Sequence, residues 1–121
     1  MLAEKIPPEV QNKLVRLQQL QEQLRLILAQ KQSVELEYRE VSRVLDELSK
    51  IGDEPLYKSL GHILVLSKKE DLVKELNERK EVLELRIKTL EKQEDYLRKQ
   101  IEDLRRKVTE TLGGVRTKQA G

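Results

Sequence analysis

The sequence predicts a mostly α-helical protein: a long antiparallel helical hairpin, or coiled coil, with one central β-hairpin that oligomerises into a shared sheet or β-barrel. Two observations carry the helices. Leu76, Leu83, Leu90, Leu97 and Leu104 recur every seven residues, and Ile87, Ile101 and Val108 each follow four residues after one of them. That is the two-position seam of a coiled coil, broken only by Lys80 and Glu94. In the first half, Val10, Leu17, Leu20, Leu24, Ile27, Val34, Tyr38, Val41, Leu45 and Leu48 step by three and four, with Lys13 and Lys31 interrupting. A third observation sets the middle apart: "LYKSLGHILVLS", Leu56 to Ser67, gathers β-forming residues around a Gly61-His62 pair.

Each element follows in order. "IPPEVQNKL" is a helix start, because proline is tolerated in a first turn, where its missing N–H would be unpaired anyway. The first helix is expected over about Pro8 to Ser49, and "KIGDEP" ends it with a glycine past the last turn and a proline soon after. Tyr57 to Leu60 and Ile63 to Leu66 are two short strands, separated by the two residues a tight turn requires. Ser67 can cap a second helix, with Glu70 completing an S-x-x-E box, and that helix is expected over about 69–112. "GGVRTKQAG", 113–121, lacks periodicity and reads as a flexible tail. The whole chain, 1–121, reads as one domain. Loop closure sets facing residues of the two helices at numbers adding to about 120, which brings Lys80 towards Glu40.

Composition excludes much. With 38% charged residues, no Phe, no Trp and three Tyr in 121 residues, the chain is poor in the side chains that fill a globular core. The 24 basic and 22 acidic residues are interspersed, so neither nucleic acid nor an anionic membrane is an expected partner. Cysteine is absent, which rules out disulfides and thiolate metal sites. No apolar run has membrane-spanning length and "MLAEKIPPEV" has no signal-peptide pattern, so a cytoplasmic location is expected. An enzyme is not expected. His62 is the only histidine, and neither a metal site nor a Cys/His nucleophile can be built around it. No phosphate-binding G-x-x-x-x-G-K-[ST] loop is present, and no cofactor is expected.

The hairpin points to assembly. A two-stranded hairpin alone in water is marginal. Here Leu64 and Leu66 fall on one face and Ile63 and Val65 on the other, and Tyr57 and Leu60 belong to the same oligomerisation hairpin. One thin coiled coil cannot cover both faces and both open edges, so hairpins of several chains are expected to pair edge to edge.

The same residues carry a resemblance. "YKSLGHILV", followed by "ELNERKEVLELRIKTLEKQEDYLRKQIEDL" and preceded by "IPPEVQNKLVRLQQLQEQL", resembles the beta subunits of archaeal prefoldin, from about Ile6 to Leu112. The resemblance implies an ATP-independent chaperone in which four beta and two alpha subunits join hairpins in a double β-barrel platform bearing six coiled-coil arms. The arm tips would hold non-native client proteins and pass them to an archaeal-type (group II) chaperonin. Tip residues here would be Leu2, Ile6, Val10 and Leu14 against Val108, Leu112 and Val115, where helix ends lose neighbours and expose apolar surface. The resemblance also makes Arg105, Arg106, Lys107, Arg116 and Lys118 candidates for chaperonin contact. An ordinary solvated face, or favourable positive charge near a helix C-terminus, accounts for these basic residues equally well. The alternative to a chaperone is a structural coiled-coil adaptor or scaffold that dimerises along its leucine seam without binding clients, which leaves the hairpin unexplained.

Overall fold

The computed structural model describes residues 6–120, with side chains described as far as Gly113. Its elements are α1 (Pro8–Ser49), β1 (Leu56–Leu60), β2 (Ile63–Ser67) and α2 (Lys69–Ala120). Two long helices with an antiparallel hairpin between them is the architecture the sequence predicts.

Local chemistry explains most of the boundaries. Pro8 takes the first helical position of α1. The Pro7 carbonyl accepts the Gln11 N–H at 3.0 Å, and the Gln11 side-chain amide donates back to the Ile6 carbonyl at 3.0 Å. At the other end the chain leaves the helix through tight bonds, Lys50 N–H to Glu47 O and Ile51 N–H to Leu48 O. Gly61 is the only glycine with positive φ among the described residues, so Gly52 ends the helix without entering the left-handed region.

Two expectations for α2 are corrected. Ser67 does not cap it. Ser67 is the last residue of β2, paired with Leu56, and its hydroxyl donates to the Val65 carbonyl at 3.3 Å. The cap position falls to Lys68, whose carbonyl accepts the Leu72 N–H at 3.1 Å. Strand pairing claims Ser67 one residue too early for the S-x-x-E box to close. The helix also runs to Ala120 and not to about 112, so the backbone expected to be a flexible tail is helical. Glycine lowers helix propensity by about 1 kcal/mol but, unlike proline, leaves the backbone hydrogen bond possible. Gly113-Gly114 is therefore a weak stop.

Packing falls into two compact units, where the sequence reading has one domain. A coiled coil has no common core, because each seam residue meets only its local neighbours. In the unit formed by Met1–Gln30 and Leu90–Gly121, Leu20, Leu97 and Ile101 are buried together, with Leu17, Leu24, Ile27 and Leu104 packed against them. Val10, Leu90 and Val108 are buried in the same unit. In the unit Lys31–Thr89, the buried positions are Val34, Val41, Leu48 and Leu83.

Polar contacts in the second unit fix the helix register. Arg79 donates to one carboxylate oxygen of Glu37 through Nε (2.9 Å) and Nη2 (2.6 Å), and the Tyr38 hydroxyl donates to Glu84 at 3.1 Å. Lys80 does not reach towards Glu40 as expected. Its ammonium lies over the Tyr38 ring, 5.6 Å from the centroid, where the ring face attracts a cation. The numbers in each pair add to about 120, the predicted register.

Candidate functional site

The hairpin is built by its turn. β1 and β2 are antiparallel with Tyr57 opposite Leu66, Lys58 opposite Val65, Ser59 opposite Leu64 and Leu60 opposite Ile63. Gly61 has φ of 60° and no other residue in the turn has positive φ, the pattern of a type II′ turn with glycine at its first central position. Paired residues share a face. Leu56, Lys58 and Leu60 therefore lie with Ser67, Val65 and Ile63, while Tyr57 and Ser59 lie with Leu66 and Leu64.

The first of these faces turns towards the helices. Lys58 pairs with Glu75 of α2, and the Lys69 ammonium donates to the Ile51 carbonyl at 2.5 Å. Leu56, Val44, Leu48, Leu72 and Leu76 line a cleft of about 260 Å³ there. Beyond Leu56, Lys58 and Ser67, which are partly covered, the hairpin is open. All six residues assigned to the hairpin surface, Tyr57, Leu60, Ile63, Leu64, Val65 and Leu66, are 40–68% exposed. The two strands form a two-stranded sheet, and each presents one unpaired edge among the described residues. His62 is exposed in the turn.

The helix-end residues divide. Ile6 and Leu112 are 40% and 38% exposed, and Leu14 is half-buried. Val10 is fully buried and Val108 is 8% exposed, so these two are seam residues without open surface. Periodicity places them on the seam, and only an assumed loss of neighbours at the helix ends made them surface. Leu2 lies outside the described residues, as do the side chains of Val115, Arg116 and Lys118. Of the remaining basic residues, Arg106 and Lys107 both bind Asp103, at 2.5 and 3.1 Å. Hydrogen bonds from Lys107 and then Arg106 hold the Asp103 carboxyl below its usual range. Arg105 instead lines a groove with Gln21, Leu24, Arg98, Ile101 and Glu102.

One surface was not anticipated. In the same unit Leu26, Ile27, Leu97 and Tyr96 line a second groove with three glutamines, and none of its lining residues is charged. Its signal in the sequence is weak, because isolated glutamines read as generic helix surface. Among the described residues no group of His, Cys, Asp and Glu could hold a metal ion, and no helix is long and apolar enough to cross a membrane.

A helical hairpin bearing an open β-hairpin at its joint defines the class: a coiled-coil subunit with its strand edges unpaired. The chain matches the Prefoldin subunit family over residues 11–114. It belongs to the prefoldin subunit family, a family of chaperone subunits. Among its relatives, the prefoldin subunit beta of Saccharolobus islandicus strain L.S.2.15 is 52% identical over 112 residues, which is 92% of this chain and 89% of that one. The prefoldin subunit beta of Archaeoglobus fulgidus is 47% identical over 108 residues, covering 88% and 93%. Among solved structures, the prefoldin beta subunit from Thermococcus strain KS-1 superposes with a TM-score of 0.84 at 38% identity, covering 89% of this chain and 96% of that one. The beta2 subunit from the same strain shares the fold, with a TM-score of 0.67 at 22% identity over 74% of this chain and 96% of that one.

Proposed function

We propose that the chain is a subunit of a cytoplasmic, ATP-independent chaperone that captures non-native proteins at its helix ends and delivers them to a group II chaperonin. The observation that supports this reading best is the hairpin, with six apolar side chains open to solvent on a chain of the prefoldin subunit family. Fully burying such side chains is worth about 1.5–3 kcal/mol each. Their sum is of the order of the 4–15 kcal/mol, roughly, that association costs. Edge-to-edge pairing with hairpins of other prefoldin subunits completes both edges, and closing the joined strands into a barrel covers the inward face. The assembly is four copies of this chain with two alpha subunits.

Client contact falls to Ile6, Leu14 and Leu112, extended by Leu2 and Val115, with Val10 and Val108 recruited when the helix ends fray. Each contact is weak and several arms multiply them. Arg105, Arg106, Lys107, Arg116 and Lys118 are the contact for the chaperonin; of the three whose side chains are described, Arg106 and Lys107 are held by Asp103 and Arg105 is not.

The test is suppression of aggregation of denatured citrate synthase by the assembled protein. Ile6→Ser with Leu112→Ser, both on exposed positions, is expected to reduce protection several-fold with the native mass of the assembly unchanged. Full protection by that variant would overturn the site assignment. Absence of protection by the unmodified assembly would overturn the chaperone reading.

A further inference from the structure

We infer that the joint between the β-hairpin and α2 is a salt-sensitive hinge, with Lys68 as its pivot and the Lys58–Glu75 ion pair as a clasp across it. Every element concerned lies in the unit Lys31–Thr89. The hairpin is joined unequally to the two helices. Between β2, which ends at Ser67, and α2, which begins at Lys69, stands Lys68 alone, whereas the longer link 50–55 separates α1 from β1. Peptide bonds are planar, so a change of angle between hairpin and α2 is concentrated in the two backbone dihedrals of Lys68. The longer link to α1 can follow that change.

Two side chains cross the joint. The Lys69 ammonium donates to the Ile51 carbonyl at 2.5 Å, which fastens the α1 link beside the pivot. Lys58 of β1 pairs with Glu75, six residues beyond Lys69 on α2 and so about 9 Å further along the helix. Acting away from the pivot, this second pair opposes rotation. The packing beneath the hairpin leaves room to turn. Leu56 and Tyr57 on one side, and Val44, Leu48, Leu72 and Leu76 on the other, line a cleft of about 260 Å³. A close-packed interior resists displacement because each side chain already touches its neighbours, and an open cleft does not. Lys58 and Glu75 line the same cleft from opposite walls, so their pair spans it.

The two side chains are 38% and 54% exposed, so dissolved salt reaches them. Exposed ion pairs shift an equilibrium by about 1.5- to 5-fold. The screening length falls from about 10 Å at 0.1 M salt to about 3 Å at 1 M. The clasp therefore holds the observed angle at low ionic strength and releases it at high. In an assembly joined through its hairpins, that angle sets how neighbouring helices diverge, so ionic strength tunes the opening between them.

The sequence contains no cysteine, so two introduced ones carry spin labels without competition. His62→Cys in the turn and Lys88→Cys on α2, both exposed, report the angle through their separation. The separation is measured by double electron–electron resonance in assemblies where labelled chains are diluted with unlabelled ones. A narrow distribution is expected at about 0.05 M KCl, and at about 1 M the population outside its peak rises about two- to fivefold. Lys58→Met keeps the apolar stem and removes the charge, and is expected to give the broad distribution at both salt concentrations. Lys58→Glu with Glu75→Lys is expected to restore the narrow one at low salt. A low-salt distribution for Lys58→Met equal to that of the unmodified chain would overturn the clasp, as would a salt response that persists in Lys58→Met. Loss of the assembly in Lys58→Met, with its recovery in the swapped variant, would make the pair an assembly contact and overturn the hinge. The measurement reads an angle and not client protection, so it stands or falls apart from the chaperone reading.

Discussion

Gly61 holds the hairpin turn at φ 60°, and a Cβ there would meet nothing within 4 Å. The cost of Gly61→Ala is therefore backbone strain and not a clash, about 1–2 kcal/mol. Amides of β1 and β2 are expected to exchange with solvent about tenfold faster in that variant, while helix amides are unchanged. Equal exchange would show that the turn does not control the strands. Ser42 illustrates the opposite case: its hydroxyl is buried with no hydrogen-bond partner among the described residues. Removing an unsatisfied buried hydroxyl recovers its desolvation cost, and alanine favours the helix, so Ser42→Ala should stabilise by about 1 kcal/mol. A lowered urea midpoint would contradict this. Asp103 gives a pH signature. Its folded carboxyl is held below the unfolded value by Lys107 and Arg106, so the folded state binds its proton less readily. Its contribution is present above the unfolded carboxyl pKa and is lost as pH falls through the lower folded value. Asp103→Asn should remove that part of the acid-side loss of helicity, measured by circular dichroism from neutral to acid pH.

The hairpin separates assembly from simple coiled-coil pairing. Leu64 and Val65 lie on opposite faces of β2 and are exposed, so replacing both by Asp leaves the helical seams untouched. Leu64→Asp with Val65→Asp should reduce the assembly to monomers or dimers, as read by light scattering. An unchanged mass would favour pairing along the helices. The strands were readable from sequence to within one residue at each outer end, because β-branched residues and a two-residue glycine turn leave few alternatives. The start of α1 and its close at Ser49 were readable for a similar reason: prolines act locally and strongly. The ends of α2 were not. Ser67 carries a cap signature, but cross-strand pairing with Leu56 outranks it, and a Gly-Gly pair lacks the steric veto that proline has. Lys80 was expected to find a carboxylate and instead meets the Tyr38 ring, a choice that depends on side-chain packing which periodicity does not encode.

Among the described residues, two apolar surfaces carry the functional reading. One is the hairpin, which sequence alone identifies because no internal core exists to cover it. The other is the unit containing the helix ends, where Ile6 and Leu112 are open, Val10 and Val108 are not, and an uncharged groove lies alongside. Seam periodicity says which residues face inward but not where neighbours run out, and it is silent on grooves made by residues beside the seam. Under the proposed function the two surfaces serve different partners: fixed subunits for the hairpin and transient, unfolded chains for the helix ends. Everything else depends on the first. Native mass spectrometry of the protein purified from its own cells with bound partners retained tests this most directly. The account predicts a complex of four copies of this chain with two of a larger helical subunit. A lone dimer of this chain would contradict it.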